Sequence, residues 1–288
     1  MRRAFGAWLI ITALLAVGGC STVHASDQRH VRPGVLGFWT RSRLLAARPF
    51  ISLRPVARSL HGISIGQRAV RAARVGALFV NGPTGPHFCT ASVVASPGKD
   101  LLITAAHCIN SGKGKGTYTN DVVFIPGYRD GSAPYGVWTP VRMLVAPEWI
   151  SDSDPNLDVG FVVLKPLDGK NIEDVLGANH LGIDYRYQYL VRVTGYPSSA
   201  GAPITCRNWS AKKSSMQLQF ECRGFTGGTS GSPWVTRFDP LTRTGTIVGI
   251  IGGYQEGGDT PAISYSSYLG PAVQRLYEEA VAASPTGT

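Results

Sequence analysis

The chain has 288 residues, 43 % hydrophobic and 16 % charged, which is enough for one or two domains with a real core and excludes a disordered tail. Its 35 glycines and 19 prolines, set against so few charges, read as many short strands joined by turns rather than a helical bundle. The formal charge of +10 does not indicate a nucleic-acid binder: residues 26–74 hold ten arginines against one acid, Asp27, while residues 75–288 hold 16 basic and 17 acidic side chains and carry no nucleic-acid module.

Residues 1–25 read as a secretory signal. Arg2 and Arg3 form a basic start, Ala7 to Val17 is an apolar run too short to span a bilayer, and Val23-His24-Ala25 is a small-residue cleavage site. A second reading competes: Val17-Gly18-Gly19-Cys20 approximates a lipoprotein box that would leave Cys20 lipidated, but Gly19 is a poor match at its position, so this ranks second. The expected location is secreted, with a lipid-anchored surface protein as the alternative and no stable membrane insertion. Residues 26–74 show no sustained period and read as an Arg-rich pro-segment or flexible arm, with the mature chain starting between about 60 and 80 and Arg74-Val75 as a suitable cut.

Texture changes at Val75. Val75–Val80, Phe88–Ala95, Leu101–Ala105, Val122–Ile125, Tyr135–Val145 and Leu157–Lys165 are short apolar or alternating runs separated by Gly, Pro, Asn and Asp. A second set follows at Tyr189–Val193, Ile204–Trp209, Met216–Cys222, Pro233–Thr236, Thr246–Ile251 and Ala262–Tyr268. The spacing predicts an all-β body with about six strands in each half, 75–175 and 176–288, the two being candidate structural duplicates. One helix closes the chain, with Val273, Leu276, Tyr277, Ala280 and Val281 on one face between Pro271 and Pro285; its stripe is expected to pack on the second half.

Of five cysteines, removal or lipidation of Cys20 leaves Cys89, Cys108, Cys206 and Cys222, an even number suited to an oxidising compartment. Three pairings are open, the local pairs 89–108 and 206–222 each falling within one stretch of strands. No C-x-x-C spacing supports a metal site.

Three segments carry chemistry. In Phe225-Thr226-Gly227-Gly228-Thr229-Ser230-Gly231-Ser232-Pro233, a hydroxyl nucleophile follows two glycines that let the Gly228 and Ser230 N–H groups face one spot, and Gly231 is expected to leave room for an acyl group. By itself this is equally a small-residue turn. In Leu102-Ile103-Thr104-Ala105-Ala106-His107-Cys108, small neighbours leave the His107 ring free; His87 reads as a loop residue and His180 is given no role. In Asn156-Leu157-Asp158-Val159-Gly160, a carboxylate heads an apolar run, where burial requires a partner such as a histidine N–H. Asp152, Asp154, Asn156 and Asp158 alternate like the start of a calcium loop, but Leu157 and Val163 stand where such a loop needs Gly and Glu. The order His107, Asp158, Ser230 excludes an α/β-hydrolase, in which Ser comes first and His last.

TAAHC at 104–108, D-x-G-x-x-x-L at 158–164 and GGTSGSP at 227–233 resemble the chymotrypsin-like serine peptidases, most closely the bacterial secreted branch that includes glutamyl endopeptidases. The resemblance covers about 75–270. It implies two six-stranded antiparallel β-barrels packed face to face, followed by the C-terminal helix, with the active site between barrels. His107 would be the general base, Asp158 its orienter, Ser230 the nucleophile, and Gly228 with Ser230 the oxyanion hole. It also supports the 89–108 bridge behind the histidine.

Two departures from the family pattern matter. Thr229 stands where the trypsin branch has an Asp that pairs with a freed N-terminus, so activation by a buried ion pair is not expected. The resemblance places the specificity pocket at the segment before Ser230 and at Val248–Tyr254. There Gly224 replaces a trypsin-type Asp, and Phe225 and Ile251 replace the hydroxyl residue and histidine of a glutamyl-type pocket. Phe225 and Ile251 predict a preference for apolar or small residues on the acyl side, with Gly252 and Gly253 leaving that strand open to a substrate backbone. The expected function is a secreted, monomeric serine endopeptidase acting on protein or peptide substrates without a cofactor. The alternative is a non-catalytic binding protein on the same scaffold.

Overall fold

A computed structural model describes residues 26–27, 34–51, 62–70, 72–82, 84–198 and 201–285. The signal sequence, the Cys20 lipidation reading and the cleavage site lie outside the described residues.

Twelve strands form the body: β1 Val75–Gly82, β2 Gly85–Val94, β3 Leu101–Thr104, β4 Asn120–Pro126, β5 Pro140–Val145, β6 Gly160–Leu164, β7 Leu190–Gly195, β8 Ile204–Lys212, β9 Gln217–Glu221, β10 Pro233–Thr236, β11 Thr246–Ile250 and β12 Ile263–Ser267. The first six are hydrogen-bonded in the order β5-β6-β3-β2-β1-β4 and the second six in the order β11-β10-β7-β8-β9-β12. Every pairing within these two sets is antiparallel.

With the strands of each half counted from one to six, both sheets run 1-2-3-6-5-4 around a ring, opened at a different seam. The first seam is sealed by mutual Phe124 and Trp138 backbone hydrogen bonds of 2.8 and 2.9 Å, the second by Gly252 N–H on Tyr265 O at 3.1 Å and Ile250 N–H on the Ser266 hydroxyl at 2.9 Å. The halves are therefore structural duplicates whose common topology survives without visible sequence repetition. Four two-residue strands extend the sheets: Ser26–Asp27 on β5, Arg48–Pro49 on β2, Gln67–Arg68 on β8 and His180–Leu181 on β11.

Alternation gives each barrel its interior. Leu78, Val80, Ala91, Val93, Phe124 and Phe161 are buried in the first, and Val191, Val193, Leu218, Phe220 and Trp234 in the second. Disulfides join Cys89 to Cys108 and Cys206 to Cys222, the local pairs in both cases.

The helix Pro271–Ala282 corrects one expectation: its stripe packs on the first barrel, not the second. Val273, Leu276 and Ala280 share the first barrel's core, Tyr277 meets Phe161 edge-on at 5.8 Å, and the Tyr277 hydroxyl donates to Ala95 O at 2.8 Å. Apolar burial is non-directional, so a stripe alone does not choose its barrel; the polar ends decide, with Ser284 reaching Asp100 at 2.6 Å.

The described part of the Arg-rich arm is held on the body. Thr40 caps the helix Arg41–Ala46 through Arg43 N–H, and Val35, Trp39 and Leu44 are buried in one cluster with Val75, Ala77 and Phe79. Further along, Gly66 N–H donates to Arg223 O and Arg223 N–H to Ser64 O, both at 2.8 Å.

Candidate active site

His107 follows β3 in a four-residue helix, Ala106–Ile109, clamped at once by the Cys108 disulfide. Its Nδ1 lies 2.7 Å from Asp158 Oδ2, and its backbone N–H donates to Asp158 Oδ1 at 3.0 Å. Gly253 N–H adds a third bond to Oδ2 at 2.8 Å, so the carboxylate, at 0 % exposure, is fully engaged. Three donors, one of them the histidine ring, offset the cost of burying this charge. Burial disfavours the charged His107 ring, but Asp158 and then Glu256 more than offset it and hold the imidazole pKa above its ordinary value.

Asp158 sits one residue beyond a 3-10 turn, Pro155–Leu157, rather than inside a strand. That turn belongs to the first half but is fastened to the second. Gln217 donates to Pro155 O at 2.8 Å and to Asn156 Oδ1 at 3.1 Å, and the Ser267 hydroxyl donates to Pro155 O at 2.9 Å. Asp154 serves this turn too, accepting from Asn156 N–H at 2.9 Å.

The Ser230 turn is built by hydroxyl and backbone bonds. Thr229 Oγ1 donates to Thr226 O at 2.8 Å, Ser232 Oγ to Thr229 O at 2.6 Å, and Gly231 N–H to Ile251 O at 2.6 Å. Gly228 has φ +94° and Gly231 φ +83°, backbone that favours glycine. A Cβ at Gly231 would meet Thr90 O and Thr104 Oγ1. This corrects the expected role: the missing side chain lets the two barrels approach and does not make room for an acyl group.

Thr90, which the sequence did not single out, joins the turn to the first barrel. Its N–H donates to Ser230 O at 2.8 Å, its hydroxyl donates to Gly228 O at 3.0 Å, and the same hydroxyl accepts from Tyr196 N–H at 3.0 Å. Both carbonyls are thereby held, and among the described residues the Gly228 and Ser230 N–H groups donate to no protein acceptor. Among the described residues, buried His107 Nε2 has no hydrogen-bond partner, Ser230 Oγ included.

Beside Ser230 is a pocket lined by Phe225, Ile251, Gly227 and Gly257, by the polar Thr226, Thr229 and Ser264, by exposed Glu256, and by Ile51 of the N-terminal segment. Phe225 is held edge-on by Phe220 at 6.0 Å. Gly252 and Gly253 follow pocket-lining Ile251. Their N–H groups donate inward, to Tyr265 O and to Asp158 Oδ2, rather than standing open to a substrate backbone. His87 lies in β2, not in a loop; its ring contacts Thr84 at 3.1 Å and Gly85 O at 2.5 Å. His180 is exposed on a two-residue strand. The Cys89 and Cys108 sulfurs near His107 are joined to each other, so they are not thiolate ligands.

Neither a protein-family model nor a curated protein sequence matches the chain. Solved structures do. The protease Anisep from Arthrobacter nicotinovorans matches with a TM-score of 0.67 and 25 % identity, covering 76 % of this chain and 100 % of its own. The fold is chymotrypsin-like. A thermostable serine protease, AL20, from an extremophilic microorganism matches at 0.66 and 26 % identity over 73 % of this chain and 98 % of its own. A Glu endopeptidase matches at 0.62 and 15 % identity over 78 % and 100 %, a likeness of fold alone. Anisep is a protease and AL20 a serine protease, which supports a protease function in general, while human heparin binding protein, at a TM-score of 0.55 and 14 % identity, shares the fold alone. Among the described residues, no helix is long and apolar enough to cross a membrane.

Proposed function

We propose that this protein is a secreted serine endopeptidase, made with an N-terminal segment that is removed to release a mature chain of two barrels. The observation that carries the proposal is the buried His107–Asp158 pair at 2.7 Å together with a turn, held on Thr90, that presents Ser230 and two N–H groups with no protein acceptor among the described residues.

In this reading Ser230 Oγ attacks the scissile carbonyl while His107 Nε2 takes its proton. Asp158 fixes the tautomer with the proton on Nδ1 and stabilises the imidazolium. The Gly228 and Ser230 N–H groups receive the oxyanion of the tetrahedral intermediate. His107 then protonates the leaving amine, the acyl-enzyme forms on Ser230, and water activated by the same histidine resolves it. Thr90 and Gly253 are positioning residues: Thr90 holds the carbonyls of the nucleophile turn, and Gly253 holds the acid. Phe225 and Ile251 present apolar surface to the acyl-side residue. Export into an oxidising compartment accords with the two disulfides.

Turnover of a peptide ester by the processed protein tests this. Ser230→Ala removes one oxygen at a turn and no core, so turnover is expected to vanish with thermal stability unchanged. A wild-type protein that folds, is processed and turns over nothing would leave the non-catalytic binding reading.

A further inference from the structure

Residues 48–51 of the Arg-rich segment cross the cleft. Arg48 and Pro49 pair in parallel with His87 and Phe88 of β2, and Phe50 N–H donates to Phe88 O at 3.1 Å. The Phe50 ring packs on His107 at 5.7 Å between centroids and on His87 at 5.9 Å. Ile51 then lines the pocket beside Ser230, together with Phe225 and Ile251, and with it in place the pocket holds about 10 Å³, no more than the smallest space that admits one water. A side chain at Gly227 would overlap the Ile51 carbonyl oxygen, so the strap fits because that position is glycine.

We propose that residues 48–51 are a built-in inhibitor of the cleft, with Ile51 standing where the acyl-side residue of a substrate binds. The proposal rests on the serine-peptidase reading above and adds how that site is regulated and what its pocket accepts. Phe50 covers the general base, whose Nε2 is sealed from solvent without a partner. Ile51 is not placed as an acyl donor: its carbonyl lies against Gly227, while among the described residues the Gly228 and Ser230 N–H groups receive no protein oxygen.

The contacts in the cleft are few, and the anchors on either side supply the rest. Upstream, Leu44 and Trp39 are buried on the first barrel, with Trp39 meeting Phe79 at 5.4 Å. Downstream, Gln67 and Arg68 pair with β8 of the second barrel, and Gly66 and Ser64 bond Arg223, seven residues before Ser230. The segment therefore straddles the cleft, and tethering gives Phe50 and Ile51 an effective concentration on the order of millimolar. A cut beyond residue 70 frees the downstream end and removes that advantage without requiring a new N-terminus to be buried. The pocket accordingly accepts a β-branched aliphatic residue of the size of isoleucine.

The test compares the full chain with the protein as processed by its host, measuring the rate at which a small fluorophosphonate labels Ser230. The full chain is expected to label at least about tenfold more slowly, because only the strap-free fraction reacts. Ile51→Asp, which places a carboxylate beside Phe225, Ile251 and the Glu256 carboxylate in a pocket whose lining, among the described residues, holds no cation, is expected to bring the full chain close to the processed rate. Leu45→Asp, at an exposed neighbour, is expected to leave the full chain slow. A synthetic peptide of residues 44–53 is expected to inhibit the processed protein competitively, a readout that does not depend on any variant folding. Equal labelling of the full and processed chains, or no gain in Ile51→Asp, overturns the proposal. Failure of the processed protein itself to label overturns the serine-peptidase reading instead, and this proposal with it.

Discussion

In an Asp158→Asn variant the side chain keeps its shape while one acceptor becomes a donor. The carboxylate receives three N–H groups: His107 N on Oδ1, and His107 Nδ1 with Gly253 N on Oδ2. If the amide nitrogen takes the Oδ1 place, it faces the His107 backbone N–H. If it takes the Oδ2 place, it faces Gly253 N–H and needs Nδ1 as an acceptor, which moves the ring proton to Nε2, the atom that must act as base. Either orientation leaves a buried donor facing a donor, costing about 1–3 kcal/mol of stability. Either also removes the charge that stabilises the imidazolium, so kcat should fall on the order of 10³–10⁴-fold, or about 4–5.5 kcal/mol of transition-state stabilisation. Steady-state turnover of a peptide ester by the processed variant, alongside urea denaturation, reads both effects. A kcat within about tenfold of the parent, against that expected loss, would refute the role assigned to the 2.7 Å pair.

Three other outcomes follow from the same contacts. Because Asp158 and Glu256 hold the His107 pKa above its ordinary value and the base must be neutral, activity should rise with pH through that raised value. In Glu256→Gln the acid limb of the kcat/KM profile should move down, while an unmoved limb would contradict the Glu256 contribution. By the same sign, the His107 pair stabilises the fold fully below about pH 6.5, the unfolded value, and this contribution is lost as pH rises through the folded value. Opening the Cys89–Cys108 bridge with paired alanines releases a 19-residue separation and should cost about 3 kcal/mol in urea denaturation. Profiling the processed protein on a peptide library should show aliphatic residues at the acyl side, and a strong preference for Arg, Lys or Glu would show that Phe225 and Ile251 do not set the specificity.

The strands were legible because each barrel buries one face of short alternating runs, and the twelve runs read from the sequence overlap the twelve strands observed. Short helices such as Pro147–Asp152 were not, since six residues beginning at a proline offer too little periodicity to distinguish from a turn. The docking of Pro271–Ala282 was missed because its apolar stripe carries no address, and the address lies in Tyr277 and Ser284. His107, Asp158 and Ser230 stood out because each breaks an apolar or small-residue context. Thr90 did not, since a Thr inside a strand looks ordinary and its partners at Tyr196, Gly228 and Ser230 are more than 100 positions away. Gly253 was read as an opening for substrate because nothing local shows that its N–H reaches back to Asp158. The Phe50 strap was illegible for a related reason: a Pro-Phe-Ile triplet in an arginine-rich arm acquires meaning only when β2 supplies the edge on which it lies.

The most direct measurement is covalent labelling of the processed protein with a fluorophosphonate, followed by peptide mass mapping. The reagent reacts rapidly only with a serine whose proton has an acceptor and whose adduct oxygen lies in a set of N–H donors. One adduct is expected, on Ser230, lost in Ser230→Ala and strongly slowed in His107→Ala. No adduct in folded, processed protein, or an adduct on another residue that persists in Ser230→Ala, would contradict the role assigned to Ser230.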